Sequence, residues 1–525
     1  MSSFQTHVTQ TVARSGQGRE RTLFWILLAA AGIVRVLSAI PLLPDGLFDD
    51  AYTTFRYAQN LARGWGLVFN PGEHVLGTTS PLFTFLLAGV GRVVGLQHLE
   101  IIAVASGILA SLGMLYFTEA SLSLAELGSE VKWIYLIVLA FLPSVIANAT
   151  SGMETPLVLF LMSVSLYMAL QERWTALACV GVLLFLGRVD AGIWLLALGI
   201  HILLSRKGRG LRELACPLAF FLGGVLSWLA FTKIYYGSVV PQSVVGKAAS
   251  HGAFAVPDVR YILTLLSAFV PAARLGGWGL FLIGTIFLVL LFPAVDLWKQ
   301  KPGLRPVIYF FPLYVGIFLA SRAPLFSWYL LPPKWAFYLI AAYALWYIAA
   351  RAAGFVQVKL EPAVVPAFVG IVLLAMSVQV LRQEFSEPRP PVSAEISNLI
   401  EKNVSPAGSL FLEHIGLVGF KTGRYIYDSM GLVTPATTRL QRQYGPDWLT
   451  KAARQFQADA VILYSPDLPS FQAGGNADAV WFQNAYTHVA DFHLPEFDVV
   501  VFFRKDSPHI SGSPLQTSRI LLDSH

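Results

Sequence analysis

The sequence predicts a polytopic α-helical membrane protein that ends in a small α/β domain, and three observations carry that expectation. The 525 residues are 55% hydrophobic and 13% charged, with a mean hydropathy of +0.60, whereas soluble domains carry about 25% charged residues. Apolar runs long enough to cross ~30 Å of hydrocarbon, about 20 residues each, recur between residues 22 and 382. From about residue 385, beyond which Pro388, Pro390 and Pro391 form a linker, polar and apolar residues alternate as they do in a soluble domain.

The expected order is a cytoplasmic tail over 1–21, a transmembrane domain over 22–382 with its first outer loop at 45–79, an extracytoplasmic α/β domain over 383–505, and a flexible tail over 506–525. Arg14, Arg19 and Arg21 precede a first apolar run too long for a cleaved signal, which keeps the N-terminus inside. Spans are expected at roughly 22–44, 80–97, 99–118, 133–149, 156–170, 174–188, 190–205, 213–236, 276–296, 305–321, 328–350 and 362–382. Counting back from the basic loop at 206–212 puts the turns at 151–154 and 188–190 outside. Two full crossings between 80 and 118 would put Glu154 inside. One stretch in the 80–130 region is therefore expected to be short, re-entrant or surface-lying, which leaves about 11 crossings of the roughly 11–13 helices and an outside C-terminus. In the last domain, Ser409–Leu412, Ala460–Tyr464 and 498–503 read as buried strands, with a helix around Trp448–Phe456. The net charge of +6 is small for this length and gives no nucleic-acid footprint. Cys179 and Cys216 fall in apolar runs and read as packing residues, without zinc spacing or a disulfide framework.

The chain is organised around Phe48-Asp49-Asp50-Ala51-Tyr52-Thr53-Thr54-Phe55-Arg56-Tyr57-Ala58, where the first apolar run ends. Two adjacent carboxylates there lie at the depth of lipid head groups, where a lipid phosphate sits. The helical spacing of Ala51, Phe55, Ala58 and Ala62 reads as a short amphipathic helix on the membrane surface, with Asp49 as its N-cap. Gly64-Trp65-Gly66 ends it, Asn70-Pro71-Gly72 turns the chain, and Gly77-Thr78-Thr79-Ser80-Pro81 leads into the next apolar run, so the loop is folded.

Charged residues at membrane depth are costly unless they are paired or face a cavity. Besides Asp49, Asp50 and Arg56, those at outer helix ends are Glu154, Arg188, Asp190 and Lys247, with Trp328 and Tyr329 at the same level. Carboxylates and cations converging there suit sugar transfer from a polyprenyl phosphate, which needs a base for the incoming hydroxyl and cations for the departing phosphate but no strong acid. Glycoside hydrolysis would instead need two carboxylates flanking the bond. Adjacent aspartates also perturb one another, raising one toward a base that works near neutral pH. Plainer readings stay open: Asp49 as a helix cap with Asp50 solvated, Glu154 as a helix start, Arg188 and Asp190 as a structural ion pair, Lys247 as a loop lysine, and Trp328 and Tyr329 as an interfacial belt.

The first-loop residues, together with Ser151-Gly152-Met153-Glu154-Thr155-Pro156, Arg188-Val189-Asp190, Tyr236-Gly237-Ser238 through Lys247, Trp328-Tyr329-Leu330-Leu331-Pro332 and Asp428-Ser429-Met430-Gly431-Leu432-Val433, resemble GT-C-type membrane glycosyltransferases. The resemblance runs from about residue 20 to residue 505 and is nearest to the polyprenyl-phosphate-arabinose-dependent terminal arabinofuranosyltransferases and their bacterial relatives. Val189 and Met153 depart from the Pro and Leu common in those motifs. The resemblance implies an inverting transferase with Asp49 as base and Asp50 orienting it or touching the sugar. Glu154 would be a second acidic contact, Arg56, Arg188 and Lys247 phosphate or substrate ligands, and Asp190, Trp328 and Tyr329 further substrate contacts.

It also implies a lipid-linked sugar donor, a glycan or lipid acceptor, membrane lipids as surroundings, and no nucleic acid. Lipid-monophosphate donors generally need no metal, and a divalent cation bridging Asp49 and Glu154 is left open. The expected location is the bacterial inner (plasma) membrane, multi-pass, with the site and the C-terminal domain on the extracytoplasmic side. The rival is a lipid-linked-sugar flippase or transporter, which would show broken helices with polar groups near the bilayer midplane.

Overall fold

The computed structural model describes residues 2–205, 212–251, 257–270, 277–359, 361–386, 392–472, 476–494, 497–511 and 518–520. Most of the basic loop that anchors the topology and the proline linker lie outside the described residues. Helix α1 (Ser2–Ala39) carries the first apolar run, and a short turn delivers the chain to α2 (Asp49–Ala62). The next helix, α3 (Pro81–Val94), has 14 residues, about 21 Å at 1.5 Å per residue and short of a bilayer. Both its ends lie on one side. Arg92 in its last turn donates to the Ala62 carbonyl (3.0 Å), and just beyond it Glu100 accepts the Asp45 N–H (3.3 Å). Helix α4 (Leu99–Leu124) then runs to the opposite side, where Lys132 meets Glu20 (3.2 Å) and Glu119 (3.4 Å).

Helices α5 (Ser129–Phe141) and α6 (Pro143–Thr150) form one bent passage, broken by 49°. Pro143 has no N–H, so the carbonyls before the break lose helical donors and need others inside hydrocarbon. Arg35, fully buried in α1, supplies them: Nη2 donates to the Leu139 carbonyl (3.0 Å) and Nη1 to the Ala140 carbonyl (2.9 Å), while Nε holds Ser111 (2.9 Å). Ser377 donates to the Phe141 carbonyl (2.5 Å).

Three apolar helices follow, α7 (Thr155–Leu170), α8 (Trp174–Gly187) and α9 (Ala191–Ser205), and then α10 (Arg212–Tyr236). After the short α11 (Gln242–His251) and α12 (Val259–Ser267) come α13 (Gly277–Gln300), α14 (Arg305–Ser321), α15 (Ser327–Phe355) and α16 (Val364–Ser386). Among the described residues seven helices are long and apolar enough to cross a membrane, or eight with the bent pair taken as one span. The shorter apolar helices α7, α8 and α9 have 16, 14 and 15 residues. Cys179 and Cys216, read as packing residues, are exposed on the outside of this bundle.

The C-terminal domain runs α17 (Val392–Asn403), β1 (Ser409–Leu412), α18 (Gly416–Thr422), β2 (Tyr425–Asp428), α19 (Pro435–Tyr444), α20 (Trp448–Phe456), β3 (Ala460–Tyr464), α21 (Leu468–Gln472), α22 (Ala477–Ala485), β4 (Tyr486–His493), β5 (Asp498–Arg504) and β6 (Ser518–Ile520). The sheet order is β2-β1-β3-β5-β4-β6. β2, β1 and β3 are parallel, and β5 runs antiparallel to both β3 and β4. β6 corrects the expectation of an unstructured tail over 506–525: β4 leaves a row of backbone donors and acceptors on its outer edge, and β6 pairs with it in parallel.

The first loop and this domain share a core. Tyr57, Leu67 and Phe69 pack with Ile400, Leu410, Ile426 and Val433. Helix α2 therefore turns its apolar residues to protein. It is wedged between α3 and α18, and eight of its residues are buried.

Candidate active site

Both aspartates sit in the first turn of α2, which starts after Phe48 in extended conformation; Phe48, and not Asp49, occupies the N-cap position. Successive helical residues point about 100° apart, so the two carboxylates face different ways. Asp49 turns to the C-terminal domain, where its Oδ2 accepts the Gly416 N–H (2.9 Å) and its Oδ1 the Leu417 N–H (2.9 Å). It thus caps the start of α18. Burial pushes its carboxyl up, while those two N–H donors and His414 pull it down. Asp50 faces a pocket and lies 3.3 Å from Lys247 Nζ.

This pocket of about 50 Å³ lies among Asp50, Thr53 and Thr54 of α2, Gly77 to Ser80 before α3, Met153 and Glu154 before α7, Ser243 and Lys247 of α11, Trp328 and Tyr329 of α15, and Leu432. It adjoins an apolar groove of about 330 Å³, walled by Ile193, Val244, Ile317, Phe318 and Pro324 among others. Four residues line both spaces: Thr79, Ser243, Lys247 and Tyr329.

Glu154 is buried and lies 3.7 Å from Arg188 Nε. Burial pushes its carboxyl up, Arg188 pulls it down, and Asp190 and Asp50 add to the rise. Arg188 is held rather than free. Its Nε and Nη2 form a fork on Asp190 (2.8 and 2.7 Å), and its Nη1 donates to Thr155 Oγ1 (2.8 Å) and to the Trp328 carbonyl (3.0 Å). Asp190 in turn accepts from Tyr314 (2.7 Å). The ion-pair reading of Arg188 and Asp190 thus matches the geometry, and the pair positions Glu154 and the Trp328 segment.

Around Lys247 stand the rings of Phe326 (4.8 Å), Tyr329 (5.7 Å) and Trp328 (6.0 Å). Burial would push its ammonium down, but Tyr329 and Asp50 outweigh it and raise it, so it stays charged. Trp328 stacks on Phe326 with centroids 4.7 Å apart and also touches Phe48 (5.8 Å), which makes an aromatic wall rather than an isolated interfacial belt.

Arg56, taken from sequence as a phosphate or substrate ligand, is elsewhere. Nε donates to the Phe69 carbonyl (2.8 Å), Nη1 to the Gly419 carbonyl (2.8 Å), and Nη2 to Asn70 Oδ1 (3.2 Å) and the Arg424 carbonyl (2.7 Å). Four of its five N–H donors are used in joining the first loop to the C-terminal domain. Asn70 does the same work, donating to the Ile426 carbonyl (2.9 Å) and accepting the Ile426 N–H (3.1 Å). Asp428 shapes the turn that brings Leu432 to the pocket, accepting the N–H groups of Met430 (2.8 Å), Val433 (2.9 Å) and Leu432. Burial lifts its carboxyl to about 7 against those donors.

Among the described residues no group of three His, Cys, Asp or Glu side chains converges as a metal-ligand set. Asp49, one half of the cation bridge left open by sequence, points away from Glu154. The pocket carboxylates Asp50 and Glu154 each have a cation beside them. Residues that sequence reasoning passed over are Thr155, Tyr314 and Ser243; the buried arginine Arg35 in an apolar run was the visible signal for the bent passage.

The fold has counterparts among solved structures. In particular, the chain is similar to ArnT from Cupriavidus metallidurans in the apo state, with a TM-score of 0.58 and 17% identity over 92% of this chain and 98% of that one. It is also similar to the oligosaccharyltransferase AglB from Archaeoglobus fulgidus, solved with an inhibitory peptide and a dolichol-phosphate (TM-score 0.54, 10% identity, 93% of this chain and 75% of that one). By sequence it is 30% identical over 227 residues to a terminal β-(1→2)-arabinofuranosyltransferase of Mycobacterium tuberculosis, a stretch that covers 38% of this chain and 35% of the relative. The chain thus matches about a third of the length of that curated relative. Residues 379–510 match a domain of unknown function (DUF8728).

Proposed function

We propose that the chain is an inverting glycosyltransferase that moves a sugar, with arabinofuranose the first to try, from a polyprenyl-phosphate donor to a glycan, glycolipid or glycoprotein acceptor of the cell envelope. One observation carries the reading: Asp50 and Lys247 are paired where a polar pocket meets an apolar groove. A polyprenyl chain suits the groove, its phosphate the junction, and its sugar the polar pocket with the Trp328 face beside it. That a structural neighbour holds a dolichol-phosphate supports such a donor.

In the reaction, Asp50 takes the proton of an acceptor hydroxyl as its oxygen bonds to the anomeric carbon. The bond from that carbon to the phosphate oxygen breaks, and its electron pair stays on the phosphate. Lys247 balances the charge that develops there, and polyprenyl phosphate leaves. Attack opposite the leaving group inverts the anomeric carbon. The base role falls to Asp50 because the oxygens of Asp49 are occupied by backbone N–H groups.

The pocket is assigned to the extracytoplasmic face of a plasma membrane. Arg173, Lys299, Lys301, Arg305 and Arg351 gather at the helix ends opposite it, as the excess of Lys and Arg in cytoplasmic loops requires.

The test is transfer of labelled sugar from a panel of polyprenyl-phosphate donors by the full chain in lipid. One donor should be consumed, and Asp50→Asn should lower turnover by about 10²–10⁴-fold while donor still binds. If no donor is consumed and lipid-linked sugar crosses the bilayer equally well with Asp50→Asn, the protein is a transporter.

A further inference from the structure

The hydroxyl of Ser243 has no assigned task, and its setting is unusual. Ser243 lies in the first turn of α11, is 7% exposed, and its Oγ has no hydrogen-bond partner among the described residues. A serine at such a position ordinarily caps the helix or bonds back to a nearby carbonyl. Leaving a buried hydroxyl unpaired costs about 1–3 kcal/mol, so an apolar residue would suit an empty groove better.

The helix that carries it is fixed on two sides. The Gln242 N–H donates to the Leu76 carbonyl (2.6 Å), and the Gln242 side chain donates to the Gly431 carbonyl (2.9 Å). At Gly246 a Cβ would meet the Met430 and Gly431 carbonyl oxygens at 2.8 Å, so α11 presses its glycine face against the C-terminal domain. The other face is turned to the two cavities. Ser243 and Lys247 are four residues apart, one above the other on that face, and both line the polar pocket and the apolar groove. A hydrogen-bond donor and a cation are thus offered together at the one place where a polar head joins an apolar chain.

We propose that Ser243 is a ligand of the donor phosphate, its hydroxyl donating to a non-bridging oxygen of the polyprenyl monophosphate while Lys247 supplies the counter-charge. This deepens the transferase reading and rests on it. The phosphate is an anion in the donor, in the transition state and in the product, so the bond contributes to binding in all three. Its loss should raise the KM for donor more than it lowers kcat.

Full-length protein in lipid, with Ser243→Ala and Ser243→Thr variants, decides the matter through two readouts: direct binding of polyprenyl monophosphate without sugar, and steady-state transfer. In Ser243→Ala, monophosphate binding should weaken about tenfold, the usual size for a bond to a charged group, and donor KM should rise equally with acceptor KM unchanged. Ser243→Thr, which keeps the hydroxyl, should restore both. If the wild type binds monophosphate and transfers sugar and Ser243→Ala does the same with unaltered constants, this inference falls alone. An equal loss in Ala and Thr variants also overturns it, since volume and not the hydroxyl would then matter. If the wild type neither binds polyprenyl monophosphate nor transfers sugar, the transferase reading falls and takes this one with it.

Discussion

Two adjacent aspartates open α2, and under the proposed reaction their neighbours divide them into a structural and a reacting group. Asp49 receives two backbone N–H groups, whereas Asp50 meets a lysine in a pocket. Opposite outcomes follow for the two asparagine variants. Asp49→Asn keeps one acceptor oxygen and turns an amide toward the second donor, so it should cost about 1–3 kcal/mol, seen as a lower Tm with kcat retained at a permissive temperature. Asp50→Asn should leave Tm near wild type and remove turnover. If Asp49→Asn silences the enzyme at full stability, the assignment of the base is wrong. The carboxylate pair was legible in the sequence because charge at membrane depth is costly and stands out. Which member faces the pocket was not, because the N–H groups that claim Asp49 come from residues 367 and 368 positions away. Arg56 was misread for the same reason: its acceptors at Gly419 and Arg424 lie in the other domain.

Among elements, the bent passage α5–α6 and the helix α18 each depend on one residue. Arg35 replaces the donors that the break at Pro143 removes, and in hydrocarbon no water can take its place. Arg35→Leu would strand the Leu139 and Ala140 carbonyls, at about 1–3 kcal/mol each. Thermal unfolding in lipid should therefore show a clear drop, with Arg35→Lys falling between. Equal stability of the leucine variant would mean that the break satisfies itself. At α18 the requirement is steric. A Cβ on Gly416 would lie 1.8 Å from the Asp49 carbonyl oxygen, so α18 reaches α2 only because that position is glycine. Gly416→Ala should push the helix off Asp49, costing about 1–3 kcal/mol as overpacking does, and should lower Tm and turnover together. A variant with wild-type Tm and turnover would show that α18 shifts without consequence for the site. The strands β1, β3 and β5 were legible as apolar runs, all buried on at least alternate residues. β2 and β4 were not: β2 mixes tyrosines with an aspartate and is four residues long, and β4 carries Thr487, His488, Asp491 and His493 among its apolar positions.

For the whole molecule, the boundary that composition marks near residue 385 is not a boundary in packing. The first loop contributes Tyr57, Leu67 and Phe69 to the core of the C-terminal domain, and Arg56 and Asn70 tie the two through backbone groups on both sides. The domain also supplies Leu432 to the pocket and the Gly431 carbonyl that holds α11. The covalent linker should therefore contribute little to keeping the domain in place. A protease site introduced at 387–391 and cut after purification should leave the C-terminal fragment bound to the membrane part, with sugar transfer retained. Combining the cut with Arg56→Ala and Asn70→Ala removes the polar ties and leaves their buried acceptors unpaired, at about 1–3 kcal/mol each. The fragment should then be released and transfer lost, while the uncut double variant keeps part of its activity because the linker maintains a high local concentration. Release of the wild-type fragment on cutting alone would show instead that the linker, and not the shared core, holds the pocket closed.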